Sequence, residues 1–158
     1  MKIRTVTEED RAKVSGLLRA AFPGSGRQEK LVSRLSGGDH IVHEWVLIHI
    51  NRAVAYIAFT NAYVGKEVVG LHLAPLAVKP EFQRQGFGSE LLKFALRQPQ
   101  IREQSIYVLG APAFFSKYGF DPCLFPVCPF DKDNTNFLSM RNTMTKRVTV
   151  GYESAFHK

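Results

Sequence analysis

One segment near the middle of the chain constrains the fold more than any other, because it joins two kinds of secondary structure through a glycine-containing loop. Residues 73–92 read Leu-Ala-Pro-Leu-Ala-Val-Lys-Pro-Glu-Phe-Gln-Arg-Gln-Gly-Phe-Gly-Ser-Glu-Leu-Leu. They predict a strand that ends at Val78, a polar loop over residues 80–88 and a helix over residues 89–96. The helix dipole and the N–H groups of such a loop attract an anion, and glycine lets it approach the main chain. The segment therefore predicts an anion site that a diphosphate fits.

The sequence before this segment changes from a helical to a strand period. Apolar residues recur at helical spacing up to residue 35, whereas from residue 41 they form the short runs that strands use. We expect Trp45 and the apolar strand residues in the core. The predicted elements are a strand at 2–6, helices at 8–21 and 28–35, and an antiparallel meander at 45–50, 53–60 and 68–78.

The sequence after the segment predicts a second βα unit and a closing pair of strands. A strand is predicted at 105–109, a helix at 111–118, and strands at 137–140 and 147–152. The strand, helix, strand order implies a crossover that makes the strands ending at Val78 and Leu109 parallel. Residues 121–134 contain three prolines and show no clear period.

Length and composition predict one domain over residues 1–158, since 45% of the residues are hydrophobic, enough for one core. No run approaches the roughly 18 apolar residues of a membrane span, and the N-terminus lacks a signal-peptide layout, so we expect a cytoplasmic protein. Cys123 and Cys128 have no further Cys or His nearby, which favours two free thiols over a disulfide or metal pair. The net charge of +7 favours an anionic partner, whether nucleic acid, acidic protein or phosphorylated cofactor.

The loop resembles a known family. Its pattern Gln83-x-x-Gly86-x-Gly88 is similar to the coenzyme A pyrophosphate loop of the GCN5-related N-acetyltransferases, whose pattern is Gln or Arg, two residues, Gly, one residue, then Gly or Ala. The order of the predicted elements also resembles that family, up to a Phe-Phe-x-x-x-Gly-Phe run that ends at Phe120, and the tail resembles a bacterial subgroup of predicted small acetyltransferases. A Walker loop needs Lys-Ser or Lys-Thr after its last glycine, and a dinucleotide fingerprint needs three glycines after a first strand. The segment lacks both.

The resemblance implies a fold and an activity. The fold is a single α/β (α+β) domain with a mixed, mostly antiparallel sheet of about six or seven strands, a V-shaped splay and about four helices on both faces. The activity is transfer of an acetyl group from acetyl-CoA, the co-substrate, to a primary amine of a small molecule or a protein by direct attack on the thioester. No metal is implied, and pairing of a C-terminal edge strand would make a homodimer.

The resemblance also implies which residues hold the coenzyme. Backbone N–H groups over residues 84–89 would hold the pyrophosphate, and main-chain groups of Leu76 and Val78 would pair with the pantetheine arm as an added strand. The thioester would enter between the strands ending at Val78 and Leu109, where an N–H of Ala77 or Val78 would stabilise the developing oxyanion. Arg84 either adds a cation near the phosphates or is solvated. The residues assigned to coenzyme binding are Leu76, Ala77, Val78, Gln83, Arg84, Gln85, Gly86, Phe87, Gly88, Ser89 and Phe115.

The acid that protonates the departing thiolate does not match the family pattern. Many relatives place a Tyr for this purpose at the position of Phe115, and phenylalanine cannot donate a proton. Ser116 and Tyr118 are the candidate substitutes, although Tyr118 equally fits a packed aromatic beside the Gly119 helix stop.

His72 is the first candidate for the base that deprotonates the amine. Strand alternation places it opposite Leu71 and Leu73, near the approach of the amine, and imidazole titrates close to working pH. The alternative is a half-exposed strand histidine without a catalytic task. Glu29, on the second predicted helix, is a weaker candidate whose alternative is a solvated helix charge.

Two other functions compete with acetyl transfer. Phe115 favours a non-catalytic module that binds acetyl-CoA or another acyl-CoA. The positive charge alone favours a nucleic-acid binder, but the sequence has no helix-turn-helix, zinc or base-stacking motif, so no nucleic-acid partner is expected. The acceptor amine is not specified by any charge cluster in the sequence.

Overall fold

The structure is a computed structural model that describes residues 1–131, 133 and 135–157. Within those residues it contains seven strands and four α-helices. The strands are β1 (Lys2–Thr5), β2 (Val42–His49), β3 (Arg52–Val64), β4 (Glu67–Val78), β5 (Ile106–Leu109), β6 (Asp121–Pro122) and β7 (Phe137–Met140). The helices are α1 (Arg11–Ala21), α2 (Arg27–Gly37), α3 (Phe87–Leu96) and α4 (Pro112–Phe115).

The strands form one mixed sheet in the order β1-β2-β3-β4-β5-β7-β6. The β1/β2, β5/β7 and β6/β7 pairs are antiparallel, and β4 pairs with β5 in parallel. These observations confirm the α/β class and the mostly antiparallel sheet. The splay implied by the resemblance stays a prediction. None of the helices in the described part of the chain is long and apolar enough to cross a membrane.

The N-terminus of the first helical segment is fixed by a carboxylate. The Thr7 N–H and hydroxyl donate to Asp10 Oδ2 at 2.8 and 3.0 Å, and the Asp10 N–H donates to Thr7 O at 3.0 Å. The Arg4 guanidinium binds both carboxylate oxygens, at 2.6 and 2.8 Å, and holds the pKa of Asp10 well below its usual range. The helix expected at 8–21 is therefore confirmed, with a 3₁₀ turn at Glu8–Asp10 before α1.

The chain divides into two compact units. Unit 1 comprises Met1–Phe59 and Pro75–Gln98, and unit 2 comprises Thr60–Ala74 and Pro99–Lys158. Strands β3 and β4 contribute residues to both, and the assignment of 1–158 as one domain stays a prediction. The core of unit 1 includes Val14, Leu17, Leu18, Val32, Val46, Ala53, Tyr56, Ala58 and Ala77. The core of unit 2 includes Ala62, Tyr107, Cys123, Cys128, Phe137 and Val150, and both cysteines are free thiols.

The parallel pairing of β4 with β5 confirms the predicted crossover. Leu71–Leu73 of β4 pair with Ile106–Val108 of β5, and the Leu71 N–H donates to Ser105 O at 2.8 Å. Gly70 permits this approach, because a Cβ at that position would overlap the carbonyl oxygen of Ser105.

The strand predicted at 147–152 is wrong. Thr149 forms a single bridge with Val127, and Gly151 forms a single bridge with Tyr63. Because this segment divides its main-chain hydrogen bonds between two partners, it never builds a ladder. Conversely, the two-residue β6 lies in the proline-containing stretch where the sequence showed no period.

Candidate functional site

The segment between β4 and α3 forms a sharp turn in unit 1. A 3₁₀ turn at Pro80–Phe82 follows β4, and α3 begins at Phe87. Between them Arg84 has φ +64° and Gly86, the N-cap of α3, has φ +87°. Glycine adopts this left-handed region readily, whereas arginine does so at a cost, so the sequence tolerates backbone strain at the loop.

Two glutamine side chains hold the loop against the chain that precedes it. Gln83 Nε2 donates to Val78 O at 3.0 Å, and Gln85 Nε2 donates to Glu81 O at 3.2 Å. Both glutamines were predicted to bind coenzyme. In the structure their side-chain amides shape the loop, which a sequence pattern does not distinguish from ligand contact.

The start of α3 presents main-chain donors beside these contacts. The hydrogen bond from Glu90 N–H to Gly86 O, at 3.0 Å, closes the first turn of the helix. The N–H groups of Phe87 and Gly88 precede it and have no acceptor within the helix. A Cβ at Gly88 would lie 3.3 Å from Val78 Cγ2, so a larger residue would push against the strand end. These donors, at the positive end of a ten-residue helix, fit a diphosphate.

An aromatic cluster braces both ends of the loop. The His49 ring at the end of β2 lies 6.1 Å from Phe82 and 4.9 Å from Phe87, and those two phenylalanines are 6.0 Å apart. The Arg52 guanidinium lies 5.1 Å from the Phe82 ring centroid. The sequence analysis did not identify His49. The only sequence signal that could have pointed to this cluster is the pair of phenylalanines that flank the loop.

The end of β4 presents the main-chain groups predicted to pair with pantetheine. The Lys79 N–H donates to Val54 O of β3 at 2.9 Å. Because successive N–H groups of a strand point to opposite edges, that of the adjacent Val78 points away from β3. The Leu71 N–H also points away from β3, toward Ser105 O, so the alternation is interrupted between residues 71 and 78. The hydrogen bond of Lys79 therefore favours Val78 as a main-chain donor to a ligand. Ala77 is buried in the core of unit 1.

His72 is buried, so the expectation of a half-exposed strand histidine is wrong. Its side chain is 1% exposed, its ring stacks on Tyr152 with centroids 3.6 Å apart, and its Nε2 lies 3.0 Å from Gly151 O. Since a carbonyl only accepts, Nε2 carries the proton, and the buried Nδ1 has no hydrogen-bond partner in the described residues. Burial lowers the pKa of His72 to about 4.

The residues around the expected acid form an aromatic cluster in unit 2. Phe115 is buried, with ring centroids 5.0 Å from Phe114 and 5.5 Å from Phe120. Ser116 is exposed, and Tyr118 is half-buried with its ring 5.2 Å from Phe114. Tyr118 is therefore packed on an aromatic neighbour, as its alternative interpretation expected.

Two carboxylates of unit 1, Glu29 and Glu44, lie in different environments. Glu29 lies 3.5 Å from Arg19 Nε and lines a groove of about 360 Å³ formed by α1 and α2. Glu44, which the sequence did not single out, accepts hydrogen bonds from Arg11 at 2.6 and 2.9 Å and from the Tyr56 hydroxyl at 2.7 Å. Burial and this carboxylate raise the pKa of Tyr56 well above its usual range. Glu44 is thus satisfied within the protein, whereas Glu29 borders an open groove.

The sheet and the strand-loop-helix turn together define an acetyltransferase class, and a comparison with known families agrees. The acetyltransferase (GNAT) domain matches residues 40–122, more than half of the chain. The chain belongs to this family, which confirms the resemblance found in the sequence.

Similar proteins include two Escherichia coli K12 sequences. The uncharacterized N-acetyltransferase YjhQ is 37% identical over 76 residues, 46% of this chain and 42% of that protein, so the match spans less than half of the relative. The uncharacterized N-acetyltransferase YhbS is 28% identical over 124 residues, 77% of this chain and 74% of that protein.

Two solved structures share the fold. The GNAT family N-acetyltransferase YhbS from Escherichia coli, in complex with CoA, has a TM-score of 0.88 and 25% identity, over 99% of this chain and 92% of that one. A GNAT family acetyltransferase from Brucella melitensis, in complex with acetyl-CoA, has a TM-score of 0.81 and 21% identity, over 98% and 97% of the two chains. They extend the likeness beyond the residues that the family match covers.

The buried His72 makes stability depend on pH. The unfolded chain protonates this imidazole near pH 6.5, whereas the folded protein resists protonation down to about pH 4. The unfolded state therefore binds more protons in this window, and stability falls as pH falls from 6.5 to 4, by roughly 3 kcal/mol from this group. In His72→Gln, an amide can still donate to Gly151 O but does not titrate. Urea unfolding at pH 7, 6 and 5 should show a shallower loss of stability in this variant.

A matched control for this experiment is His157→Gln, since His157 is exposed. It should lose stability with pH as the wild type does. Equal slopes for all three proteins would contradict the buried, neutral state of His72.

Proposed function

We propose that this chain transfers the acetyl group of acetyl-CoA to a primary amine. The proposal rests on the loop at residues 83–88. At its end the N–H groups of Phe87 and Gly88 lie at the positive end of α3 and are available to an anion. The binding of CoA by YhbS and of acetyl-CoA by the Brucella protein supports the ligand. The site would hold the diphosphate at the loop and the pantetheine along the β4 edge at Leu76 and Val78.

Positioning is the main catalytic contribution that we assign to the chain. A neutral amine attacks a thioester without a protein nucleophile once the two are held together, and the carbonyl oxygen then gains negative charge. We assign the stabilisation of that charge to the Val78 N–H, because it points away from β3. Gln83, which binds Val78 O at 3.0 Å, would keep this strand end in place.

The proton steps differ from those expected of a chain with Tyr at position 115. The buried Phe115 offers no proton, and a thiolate leaves without an acid more readily than an alkoxide because the thiol pKa is about 8.5. The depressed pKa of His72 and its bond to Gly151 support a positioning role rather than a base, so we propose that the amine loses its proton to water. Ser116 and Tyr118 stay candidate donors to the leaving thiolate.

The role of His72 can be separated kinetically from catalysis. If His72 only positions the segment around Gly151, kcat of His72→Gln should stay within about threefold of the wild type, and its pH profile should not shift. A loss of about a hundredfold or more in a folded variant would restore His72 as the base.

The cofactor assignment is tested by isothermal titration of acetyl-CoA into the wild type and Gly86→Trp. No atom beyond the chain neighbours lies within 4 Å of a Cβ built at Gly86, so the indole would project into the space in front of the loop. The expected result is binding by the wild type and none by the variant. No binding by the wild type would overturn the proposal.

Gly65→Trp is the matched control for the same titration. Gly65 has φ +61°, and a Cβ there also meets nothing within 4 Å, but it lies in the turn between β3 and β4. Both substitutions strain a left-handed residue, so the difference between them reports on the loop alone. Equal loss of binding in both variants, each shown by circular dichroism to be folded, would contradict the assignment.

A second candidate, a coenzyme-binding module without turnover, is favoured by Phe115. Thiol release during incubation of acetyl-CoA with a panel of small amines and peptides distinguishes it from the enzyme. Release that depends on the amine and disappears in Gly86→Trp supports transfer. Tight binding without release for every amine supports the module.

A further inference from the structure

A second concave surface of unit 1 lies beside α1, and none of residues 83–89 lines it. This surface, here called the α1 groove, has a volume of about 380 Å³, within the range of small-ligand sites. It is lined by Lys13, Gly16, Ala20, Asn51, Arg52, Ala53, Lys79 and Glu81.

The small residues of the α1 groove leave room for a ligand. Lys13, Gly16 and Ala20 lie three and four positions apart and so share one side of α1. A Cβ at Gly16 would meet only the guanidinium of Arg19, at 3.8 Å. On this side α1 therefore contributes one long cationic side chain, Lys13, and two small residues that leave space in the groove.

The α1 groove carries an excess of positive charge. Its three cations are Lys13, Arg52 and Lys79, and its carboxylate is Glu81, which lies 3.4 Å from Arg52. Neither Lys13 nor Lys79 has a carboxylate within 4 Å among the residues that the structure describes, although Lys79 is close enough to Glu81 for their charges to interact. Three positive charges against one negative charge leave a net charge of +2, and like charges that line one groove attract an anion.

The arginine of the α1 groove already has two neighbours in unit 1. Its guanidinium lies 5.1 Å from the Phe82 ring centroid and contacts Glu81. The side chain is half exposed, so its planar fork is accessible to an oxyanion. Asn51, at φ +60° in the turn before β3, adds an amide.

We propose that the α1 groove binds a small phosphate monoester dianion, distinct from the diphosphate assigned to the loop. Lys13 and Lys79 contact the phosphate oxygens as point charges, and Arg52 contributes its fork. The dianion matches the net charge of the groove, and its compact tetrahedral shape lets the cations converge on it. This inference does not depend on acetyl transfer, since no residue of loop 83–89 contributes to it.

The test is a titration of the ¹⁵N-labelled full chain with inorganic phosphate at constant ionic strength, followed by amide chemical shifts. The amides of Gly16, Asn51 and Ala53 should shift and saturate with a dissociation constant on the order of millimolar. In Lys13→Gln/Lys79→Gln the affinity read from these amides should fall about tenfold or more. The amides of Gly86 and Gly88, observed in the same spectra, report separately on the loop.

The control variant Lys2→Gln/Lys66→Gln removes the same charge at exposed lysines outside the α1 groove. It should keep the wild-type affinity within about twofold. If the shifts of the groove amides do not saturate, or are equal in both double variants, phosphate only accumulates near positive charge. Either result would overturn the proposed site. Succinate binding as tightly as phosphate would overturn the phosphate assignment. The spectrum of each variant shows directly whether it is folded.

Discussion

The site depends on the turn that converts β4 into α3. A strand that ends at Val78 must reverse into a helix that begins at Phe87, and Gly86 permits this because its φ of +87° costs glycine little. The bond from Gln83 to Val78 O closes the turn from within. As a result, the first donors of α3 are fixed beside the last residues of β4 before any ligand arrives. Such preorganisation would lower the ordering cost of the diphosphate binding that we propose for this loop.

The aromatic cluster around His49 extends the same principle. Its imidazole contacts the ring before the loop and the ring after it, so the two ends cannot separate without losing both contacts. Arg52 then connects Phe82 to Glu81 and to the α1 groove. The two anion sites that we propose in unit 1 are therefore connected through Phe82 and Arg52, while they use different donors.

Much of the fold could be predicted because local periodicity and turn residues agree with it. The helices at 8–21 and 28–35 and the meander follow from apolar spacing and from turns near Asn51 and Gly65, where the chain adopts positive φ. The segment 147–152 failed for a physical reason. Its β-branched residues fit a strand, but its hydrogen bonds go to Val127 and Tyr63, which lie far away in sequence. Local propensity contains no information about such partners.

The candidate site, like the fold, could be predicted from the sequence only in part. The glycines and the helix start follow from local chemistry, so the loop was predictable. Burial of His72 was not, because it arises from Gly151 and Tyr152, about eighty residues further along the chain. The roles of Gln83 and Gln85 were also hidden, since an amide that binds a ligand and one that binds its own main chain leave the same trace in the sequence.

The central claim is that the N–H groups at the start of α3 hold the diphosphate of coenzyme A. The most direct measurement compares the amide shifts of Gly86, Phe87 and Gly88 on addition of CoA with those on addition of pantetheine, which lacks the diphosphate. The account predicts that CoA moves these three amides more than any others in unit 1 and that pantetheine leaves them nearly unchanged. Binding of CoA that leaves them unmoved, or an equal response to both compounds, would contradict it.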